Sequence, residues 1–283
     1  MADPRSVSVV IPAFNEEAAI GSVVEDVRAA GSWLEVLVID DGSTDSTAAR
    51  AEAAGARVVR HPYNKGNGAA VKTGIREARG DVVALMDGDG QHDPGEIHRL
   101  VAPIGTHDMV IGARSARDQA WTRALGNAVF KALASWLAGR TIPDLTTGFR
   151  AARRDRLTEI LHLLPNGFSY PTTSCLAFLK AGHNVAFEPI RARRRKGQSK
   201  IRALRDGMRF LLIILKIVTL YSPLKVFFPV SAAAFVLGSV YGGWNVWAHG
   251  KIPNLAALLI QLAVVVFLFG LISEQIAAGQ DRK

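Results

Sequence analysis

Residues 82–94 read VVALMDGDGQHDP, and this stretch decides the fold. A short apolar run ends directly in Asp87, Asp89, Gln91 and Asp93, which two glycines and a histidine separate. Carboxylates are costly inside a core unless they are paired. Three of them within seven residues are also unusual in an ordinary loop. The stretch therefore predicts a buried strand that ends at a functional site.

The same arrangement recurs along the first half of the chain. Three helical patterns lie between the strand-like runs. The first covers about 16–29, the second begins at a cap formed by Ser43 or Thr44 and ends near Gly55, and the third runs from NKGNG to about Ala78. Short runs rich in Val and Ile that alternate with helices predict an α/β fold with a parallel sheet covered on both faces. The predicted strands are 7–14, 35–41, 57–61, 81–87 and 108–114.

Polar and glycine residues follow each predicted strand. In parallel sheets, ligands bind outside the carboxyl ends of the strands, so these residues are expected to form one site. They are Asn15 and Glu16, Asp40 to Ser43, Asn64 to Gly68, Asp87 to Gln91, and Arg114.

Asp87, Asp89 and Gln91 alternate, so in an extended segment their side chains point to the same side. Two carboxylates and an amide oxygen are ligands suited to Mg²⁺ or Mn²⁺, and such sites leave positions for phosphate oxygens and water. Asp-Gly pairs also form turns, but a turn alone does not explain the convergence with other polar strand ends. His92 is expected to face solvent and not to bind the metal.

The segment NKGNGAAVKTG (64–74) is typical of a phosphate-binding turn at a helix N-terminus, although glycines also simply begin helices. The chain lacks the pattern G-x-x-x-x-G-K-[ST], and its first strand is not followed by G-x-G-x-x-G. A P-loop NTPase and a dinucleotide-binding Rossmann domain are therefore both disfavoured.

Two stretches of 22 residues, 226–247 and 252–273, contain no Asp, Glu, Lys or Arg. As helices they are about 33 Å long, which is enough to cross a bilayer. A pair of buried core helices is the alternative, but the two runs are joined only by AHGK (248–251), so a transmembrane hairpin is the better interpretation.

The basic residues predict the orientation in the membrane. Residues 191–209 hold nine Lys or Arg and one acid, whereas the loop between the spans holds only Lys251. The positive-inside rule places both termini in the cytoplasm, which predicts a multi-pass protein of the cytoplasmic membrane with its first domain in the cytosol. The chain does not open on a secretory signal, and the lone Cys175 fits a reducing compartment.

The net charge of +9 is compatible with nucleic acid, but the basic cluster adjoins the first span, where lipid headgroups are the nearest anions. We therefore expect a lipid bilayer as partner and no nucleic acid. Residues 201–217 place apolar and basic side chains on opposite helix faces, which predicts an interfacial helix, or else a helix packed on the soluble domain. The expected domains are 1–200, a juxtamembrane segment 201–222, and 223–283 with the two spans.

Five segments then carry a resemblance to a known family. In this order they resemble family 2 glycosyltransferases of the GT-A fold, and more narrowly the polyprenyl-phosphate glycosyltransferases. The resemblance covers about residues 5–200 and implies a Rossmann-like mixed sheet flanked by helices. The segments are IPAFNEE (11–17), VIDDGSTDST (38–47), NKGNGAAVKTGI (64–75), MDGDGQHDP (86–94) and PDLTTGFR (143–150).

The resemblance also implies roles for matching residues. Asp87, Asp89 and Gln91 hold the divalent metal, Mg²⁺ or Mn²⁺, and Asp89 and Asp144 are the catalytic residues. The residues implied to hold the nucleotide sugar are Pro12, Phe14, Glu16, Asp40, Asp41, Lys65, Asp87 and Asp89. Those implied to receive the acceptor phosphate are Arg114, Arg123, Lys196, Ser199 and Lys200, the last three in a loop that closes over the donor.

The implied reaction is an inverting transfer of a hexose, from GDP-mannose or UDP-glucose in the first place, to undecaprenyl or dolichyl phosphate. A lipid monophosphate is already anionic near neutral pH, so Asp144 either acts as a base, orients the acceptor, or pairs with an arginine. If Arg114 and Arg123 do not bind the acceptor phosphate, they are solvated surface charges. Another lipid or saccharide acceptor and a catalytically silent nucleotide-sugar-binding scaffold are the alternatives, and a homo-oligomer stays open.

Overall fold

The computed structural model describes residues 3, 6–114, 132, 135–136, 139–167, 169–190 and 223–280. The chain divides into two compact units, Met1–Lys200 and Ile201–Lys283. In the first unit the strands are β1 Val7–Ala13, β2 Glu35–Asp40, β3 Arg57–Arg60, β4 Val82–Leu85, β5 Met109–Arg114, β6 Arg150–Arg153 and β7 Val185–Ile190. Its helices are α1 Ile20–Ala30, α2 Thr47–Ala53, α3 Asn67–Glu77, α4 Ile97–Val101, α5 Arg154–Glu159 and α6 Tyr170–Lys180.

The seven strands form one mixed sheet in the order β3-β2-β1-β4-β6-β5-β7. Strands β1 to β4 pair in parallel, as the alternating sequence pattern predicts. Strand β6 runs antiparallel between β4 and β5, and β7 pairs in parallel with β5. The mixed sheet flanked by helices confirms the fold that the resemblance implies.

The central strands consist of buried β-branched and aliphatic residues, because helices cover both faces. Helix α1 buries Ile20, Val23, Val24 and Val27, which the helical repeat places on one face. Helix α3 comes so close to β1 that a Cβ on Gly74 would lie 2.2 Å from Val10 Cγ1. This packing brings the carboxyl ends of β1, β2 and β4 to one edge.

Two predicted helix starts are wrong for a shared reason. Helix α1 begins at Ile20 and α2 at Thr47, later than the patterns suggest. The loops before them bind each other: Asn15, with a left-handed φ of 55°, accepts a hydrogen bond from Thr44 N and donates its own N–H to Ser43 Oγ. Side chains expected to cap α2 therefore hold the end of β1 instead.

The second unit contains two antiparallel helices, α7 Pro223–His249 and α8 Asn254–Gln280, of 27 residues each. Small residues lie between them: a Cβ on Gly238 would be 3.0 Å from Leu259 Cβ, and Ala256 and Ala263 are buried. At the open end, Glu274 Oε2 accepts a hydrogen bond of 3.0 Å from Leu224 N. Close approach at small residues is typical of helix pairs in membranes.

Large apolar side chains cover the outside of this hairpin. Val240, Trp247 and Phe269 are 67%, 80% and 61% exposed. Only 11% and 17% of the residues in the two apolar spans are buried, which does not fit the core helices of a water-soluble domain. Length, composition and exposure together suit helices that span a membrane. The predicted interfacial helix, 201–222, lies outside the described residues.

Candidate active site

The loop after β4 carries the acidic residues that the sequence singles out. Asp89 and Gln91 lie side by side: Gln91 N donates to Asp89 Oδ1 at 3.1 Å, and Gln91 Nε2 donates to Asp89 Oδ2 at 2.7 Å. The Asp87 side chain is 38% exposed at the end of the strand. The predicted metal-binding residues therefore share one loop at the carboxyl edge of the sheet.

The backbone of Gly148 lies directly against Asp87. A Cβ on Gly148 would lie 2.8 Å and 2.9 Å from the two Asp87 carboxylate oxygens, and 2.8 Å from the hydroxyl of Tyr170. Any side chain at position 148 would therefore displace the carboxylate. Burial and the negative charge of Asp87 raise the pKa of the Tyr170 phenol, so this hydroxyl stays protonated.

Asp87 is held in its ionised form. Burial acts to raise its pKa, but the hydrogen bond and charge of His92, with the charges of Arg150 and Arg114, outweigh burial and lower the pKa. An ionised carboxylate is what a divalent cation requires as a ligand.

The expectation that His92 faces solvent is wrong. Its side chain is only 6% exposed, its ring stacks on Phe149, and its Nε2 lies 3.4 Å from Asp87 Oδ2. No local sequence pattern indicates this burial, because Phe149 is distant in the chain and reaches the loop only through the antiparallel strand β6.

The donor set fits a metal that is shared with a substrate. Among the described residues, no three His, Cys, Asp or Glu side chains are grouped as a complete metal site would require. Asp87, Asp89 and Gln91 supply oxygen ligands of the type that Mg²⁺ and Mn²⁺ take, and leave coordination positions to phosphate oxygens and water.

Asp144, which is buried, and Arg114, which is partly exposed, form an ion pair at the neighbouring strand end. Arg114 Nε donates to Asp144 Oδ2 at 2.8 Å, and Arg114 Nη2 donates to Asp144 Oδ1 at 3.3 Å and to Thr146 Oγ1 at 2.6 Å. Burial acts to raise the pKa of Asp144, but the Arg114 hydrogen bond and charge, with backbone donors, hold it below its usual value. Of the roles left open for Asp144, pairing with an arginine is the one for which the structure has the contact.

Arg150 is a functional candidate that sequence reasoning missed. It is fully buried, and it donates to Pro171 O and Ser174 Oγ at 2.8 Å each, and to Thr147 O. Burial lowers its pKa, whereas charges on neighbouring groups, including Asp144 and Asp87, oppose that shift. A buried guanidinium thus links the two acidic residues of the site electrostatically.

The residues expected to hold the nucleoside lie at the ends of β1 and β2. Pro12 is buried within β1, Phe14 is 42% exposed just beyond it, and Glu16 N donates to Thr47 Oγ1. The Asp40 side chain is buried, accepts from Ser43 N at 3.0 Å and lies 3.1 Å from Arg60 Nε. The structure brings these residues to the same edge as Asp87.

Asp41 orders the loop that carries Lys65. It is 2% exposed and accepts from Lys65 N at 3.0 Å and Gly66 N at 2.8 Å. His61 joins the same network, with Nδ1 2.7 Å from Asp41 Oδ1 and Nε2 2.9 Å from Thr73 Oγ1. Asp41 therefore acts on the site through the loop conformation.

The expected phosphate-binding turn at the start of α3 is occupied by the protein itself. Gly68 N donates to Gly167 O at 3.2 Å, and Ala69 N donates to Asn166 O at 2.8 Å. A Cβ on Gly68 would lie 2.0 Å from Pro165 O, so this glycine permits the close approach of the loop. The amides of Gly68 and Ala69 are thus not open to a phosphate.

Four predicted acceptor-site residues, Arg123, Lys196, Ser199 and Lys200, lie outside the described residues. Of the acceptor set, the structure therefore describes Arg114 alone.

Comparisons with known families cover most of the chain. The sequence model of the family described as "Glycosyl transferase family 2" matches residues 8–161, and the model described as "GtrB C-terminal hairpin" matches residues 222–278. The first match spans more than half of the chain, and the second falls on α7 and α8.

Several named proteins are similar over long stretches. Glycosyltransferase AglJ of Haloferax volcanii is 29% identical, with 98% of this chain and 95% of that protein covered. Undecaprenyl-phosphate 4-deoxy-4-formamido-L-arabinose transferase of Proteus mirabilis is 30% identical, with 96% and 88% covered. Dolichyl-phosphate hexose transferase of Haloferax volcanii is 33% identical over 204 residues, with 71% and 88% covered.

A solved structure has a similar fold over about three quarters of this chain. Glucosyl-3-phosphoglycerate synthase of Mycobacterium tuberculosis, in complex with Mn²⁺, UDP-glucose and phosphoglyceric acid, aligns with a TM-score of 0.62 and 26% identity. The alignment covers 75% of this chain and 79% of that chain.

Proposed function

The chain belongs to glycosyl transferase family 2, and from that premise we propose that it transfers a hexose from a nucleotide sugar to a polyprenyl phosphate. The observation that carries the proposal is that residues 143–150 contact both parts of the site: Asp144 pairs with Arg114 at the end of β5, and the backbone of Gly148 lies against the Asp87 carboxylate. The acidic loop after β4 and Arg114 therefore lie at one edge of the sheet, where an anionic leaving group and an anionic acceptor would both find a cation.

On the donor side, Asp87, Asp89 and Gln91 hold the divalent cation and, through it, the diphosphate. When Mg²⁺ or Mn²⁺ is bound there, these residues would place positive charge next to the leaving nucleoside diphosphate. Phe14, Asp40 and the loop with Lys65 flank the nucleoside. The mycobacterial structure that holds Mn²⁺ and UDP-glucose supports this use of the fold. GDP-mannose and UDP-glucose are the first donors to consider.

On the acceptor side, Arg114 receives the phosphate and Asp144 fixes Arg114. A phosphate monoester is anionic at neutral pH, so it needs a positioned cation more than it needs a base. Asp144 stays ionised because its pKa is lowered, and both of its oxygens already accept hydrogen bonds from Arg114. Attack on the face opposite the leaving group inverts the configuration of the sugar.

The hairpin supplies the membrane attachment that a lipid-linked acceptor requires. Two relatives are named for transfer to undecaprenyl phosphate or dolichyl phosphate, and the hairpin exposes large apolar residues along its length. We infer three segments, 1–200, 201–222 and 223–283, with the first in the cytosol. The basic residues between 191 and 209 attract the anionic acceptor to the membrane surface.

The test is transfer from a panel of radiolabelled GDP- and UDP-sugars to undecaprenyl phosphate, with Mg²⁺, Mn²⁺ or EDTA. We expect one donor to give an organic-extractable product that needs metal and is lost in Asp89→Ala. Asp155→Ala is the matched control, because Asp155 is a surface acid on α5 that pairs with Arg153. Metal-dependent nucleotide binding without any lipid product would contradict the proposal that polyprenyl phosphate is the acceptor. It would favour another acceptor or a nucleotide-sugar-binding scaffold.

A further inference from the structure

We propose that His92 is a positioning residue, which holds the Asp87 carboxylate where the divalent cation and the donor diphosphate need it. This inference rests on the proposed function, because it concerns the support of the metal site. His92 has no role among the predicted ligands, and its side chain is buried behind the loop that carries them.

The geometry fixes the imidazole ring in one plane. The rings of His92 and Phe149 stack, with centroids 4.8 Å apart and an interplanar angle of 18°. Phe149 is fully buried, so it cannot move aside and let the imidazole turn. In this plane, Nε2 points at Asp87 Oδ2 over 3.4 Å, and an N–H on Nε2 donates to the carboxylate.

The backbone next to Phe149 also restricts the position of the Asp87 carboxylate. Gly148, the residue before Phe149, lies against both carboxylate oxygens, as the 2.8 Å and 2.9 Å separations from its ideal Cβ position demonstrate. Gly148 limits where the carboxylate can lie, and His92 supplies the hydrogen bond that selects its orientation. Hydrogen bonds to metal-binding carboxylates commonly orient them in this way.

For folding alone, a histidine is a poor choice at this position. Its Nδ1 is buried and has no hydrogen-bond partner within the described part of the chain, and an unpaired buried polar atom is unfavourable for folding. Its single hydrogen bond, at 3.4 Å, is longer than the common range. A phenylalanine would keep the stacking on Phe149 without the unpaired nitrogen, so the interaction with Asp87 accounts for the histidine.

The experiment compares His92→Phe with the full-length wild type in detergent, without acceptor. Mn²⁺ binding is titrated by electron paramagnetic resonance in the presence of UDP and, separately, of GDP, and the melting temperature is measured on the same samples. We expect Mn²⁺ binding roughly 10 to 100 times weaker, with an equal or higher melting temperature. His92→Gln, which restores a donor near Nε2, should recover most of the Mn²⁺ affinity.

His98→Phe is the matched control. His98 also lies against an aromatic ring, that of Trp33 at 4.6 Å, and its Nε2 lies 2.6 Å from Ala30 O, at the end of α1. Its replacement should leave the Mn²⁺ affinity unchanged. Equal Mn²⁺ affinity in His92→Phe and wild type, or a fall in melting temperature in His92→Phe, would make His92 an ordinary core residue and overturn the inference. A wild type that binds no Mn²⁺ with either nucleotide would overturn the proposed function as well.

Discussion

At the scale of single residues, the Arg114–Asp144 pair makes a prediction about pH. Asp144 has a lowered pKa, so the pair stabilises the fold above the carboxyl's ordinary value of about 4 and this stabilisation is lost as the pH falls through the lower folded value. Removal of one partner of a fully buried pair costs about 3–5 kcal/mol, and the cost here should be smaller because the Arg114 side chain is 27% exposed. Asp144→Asn should therefore melt at a lower temperature than wild type at pH 7, with a difference that shrinks below about pH 4.

Kinetics of the same variant separate the roles of Asp144. If Asp144 fixes Arg114, Asp144→Asn should mainly raise the KM for polyprenyl phosphate, and the activity of the wild type should show no ionisation of Asp144 between pH 5 and 8. A base would instead give a loss of about 10²-fold or more in kcat with little change in KM. That second outcome would contradict the positioning role.

The type and spacing of residues predict part of this site, and three-dimensional proximity decides the rest. Asp87 and Asp89 could be identified because hard-oxygen donors alternate at the end of a buried run. The identity of the arginine that pairs with Asp144 and the burial of His92 could not, since each depends on residues that the antiparallel strand β6 brings to the site. A motif predicts candidate ligands but not the groups that support them.

At the scale of elements, the contact between α3 and the loop 164–167 makes a second prediction. Lys72 Nζ donates to Leu164 O, and the first amides of α3 donate to the carbonyls of Asn166 and Gly167. In Gly68→Ala the added Cβ would meet Pro165 O at 2.0 Å, so the loop must move away. We expect a destabilisation of about 1–3 kcal/mol, measured by thermal or denaturant unfolding.

Gly167→Ala is the control for that variant. Gly167 belongs to the same contact, but a Cβ added there meets nothing within 4 Å. Its melting temperature should stay close to that of wild type. Equal effects of the two substitutions would mean that the contact between α3 and the loop does not depend on the close approach at Gly68.

The strands that sequence patterns predict are those with long apolar runs. Strands β1 to β5 were predictable because Val and Ile dominate them, whereas β6 reads RAAR and begins with the buried Arg150. A charged residue in a central strand contradicts the usual pattern. Here carbonyls and Ser174 accept hydrogen bonds from Nη1 and Nη2 of Arg150, whereas its buried Nε has no partner among the described residues. Local conflict of this kind often accompanies a functional site.

At the scale of the whole molecule, the hairpin has two distinct ends. The turn at 250–253 follows the adjacent Trp244 and Trp247 rings, which suit an interfacial position, and the other end is held by Glu274 against Leu224 N. The basic residues between 191 and 209 precede that second end in sequence. The basic residues alone predict which end faces the cytoplasm, because tryptophans are enriched at both interfaces of a membrane.

This orientation gives the last prediction. Cys175 is buried, so a cysteine introduced at the surface can be labelled against a low background. In spheroplasts, a membrane-impermeant maleimide should label His249→Cys, which lies at the end of α7, but should label Asp281→Cys only after the membrane is opened. The reverse result would place both termini and the glycosyltransferase domain outside the cytoplasm, and the positive-inside argument for this chain would be wrong.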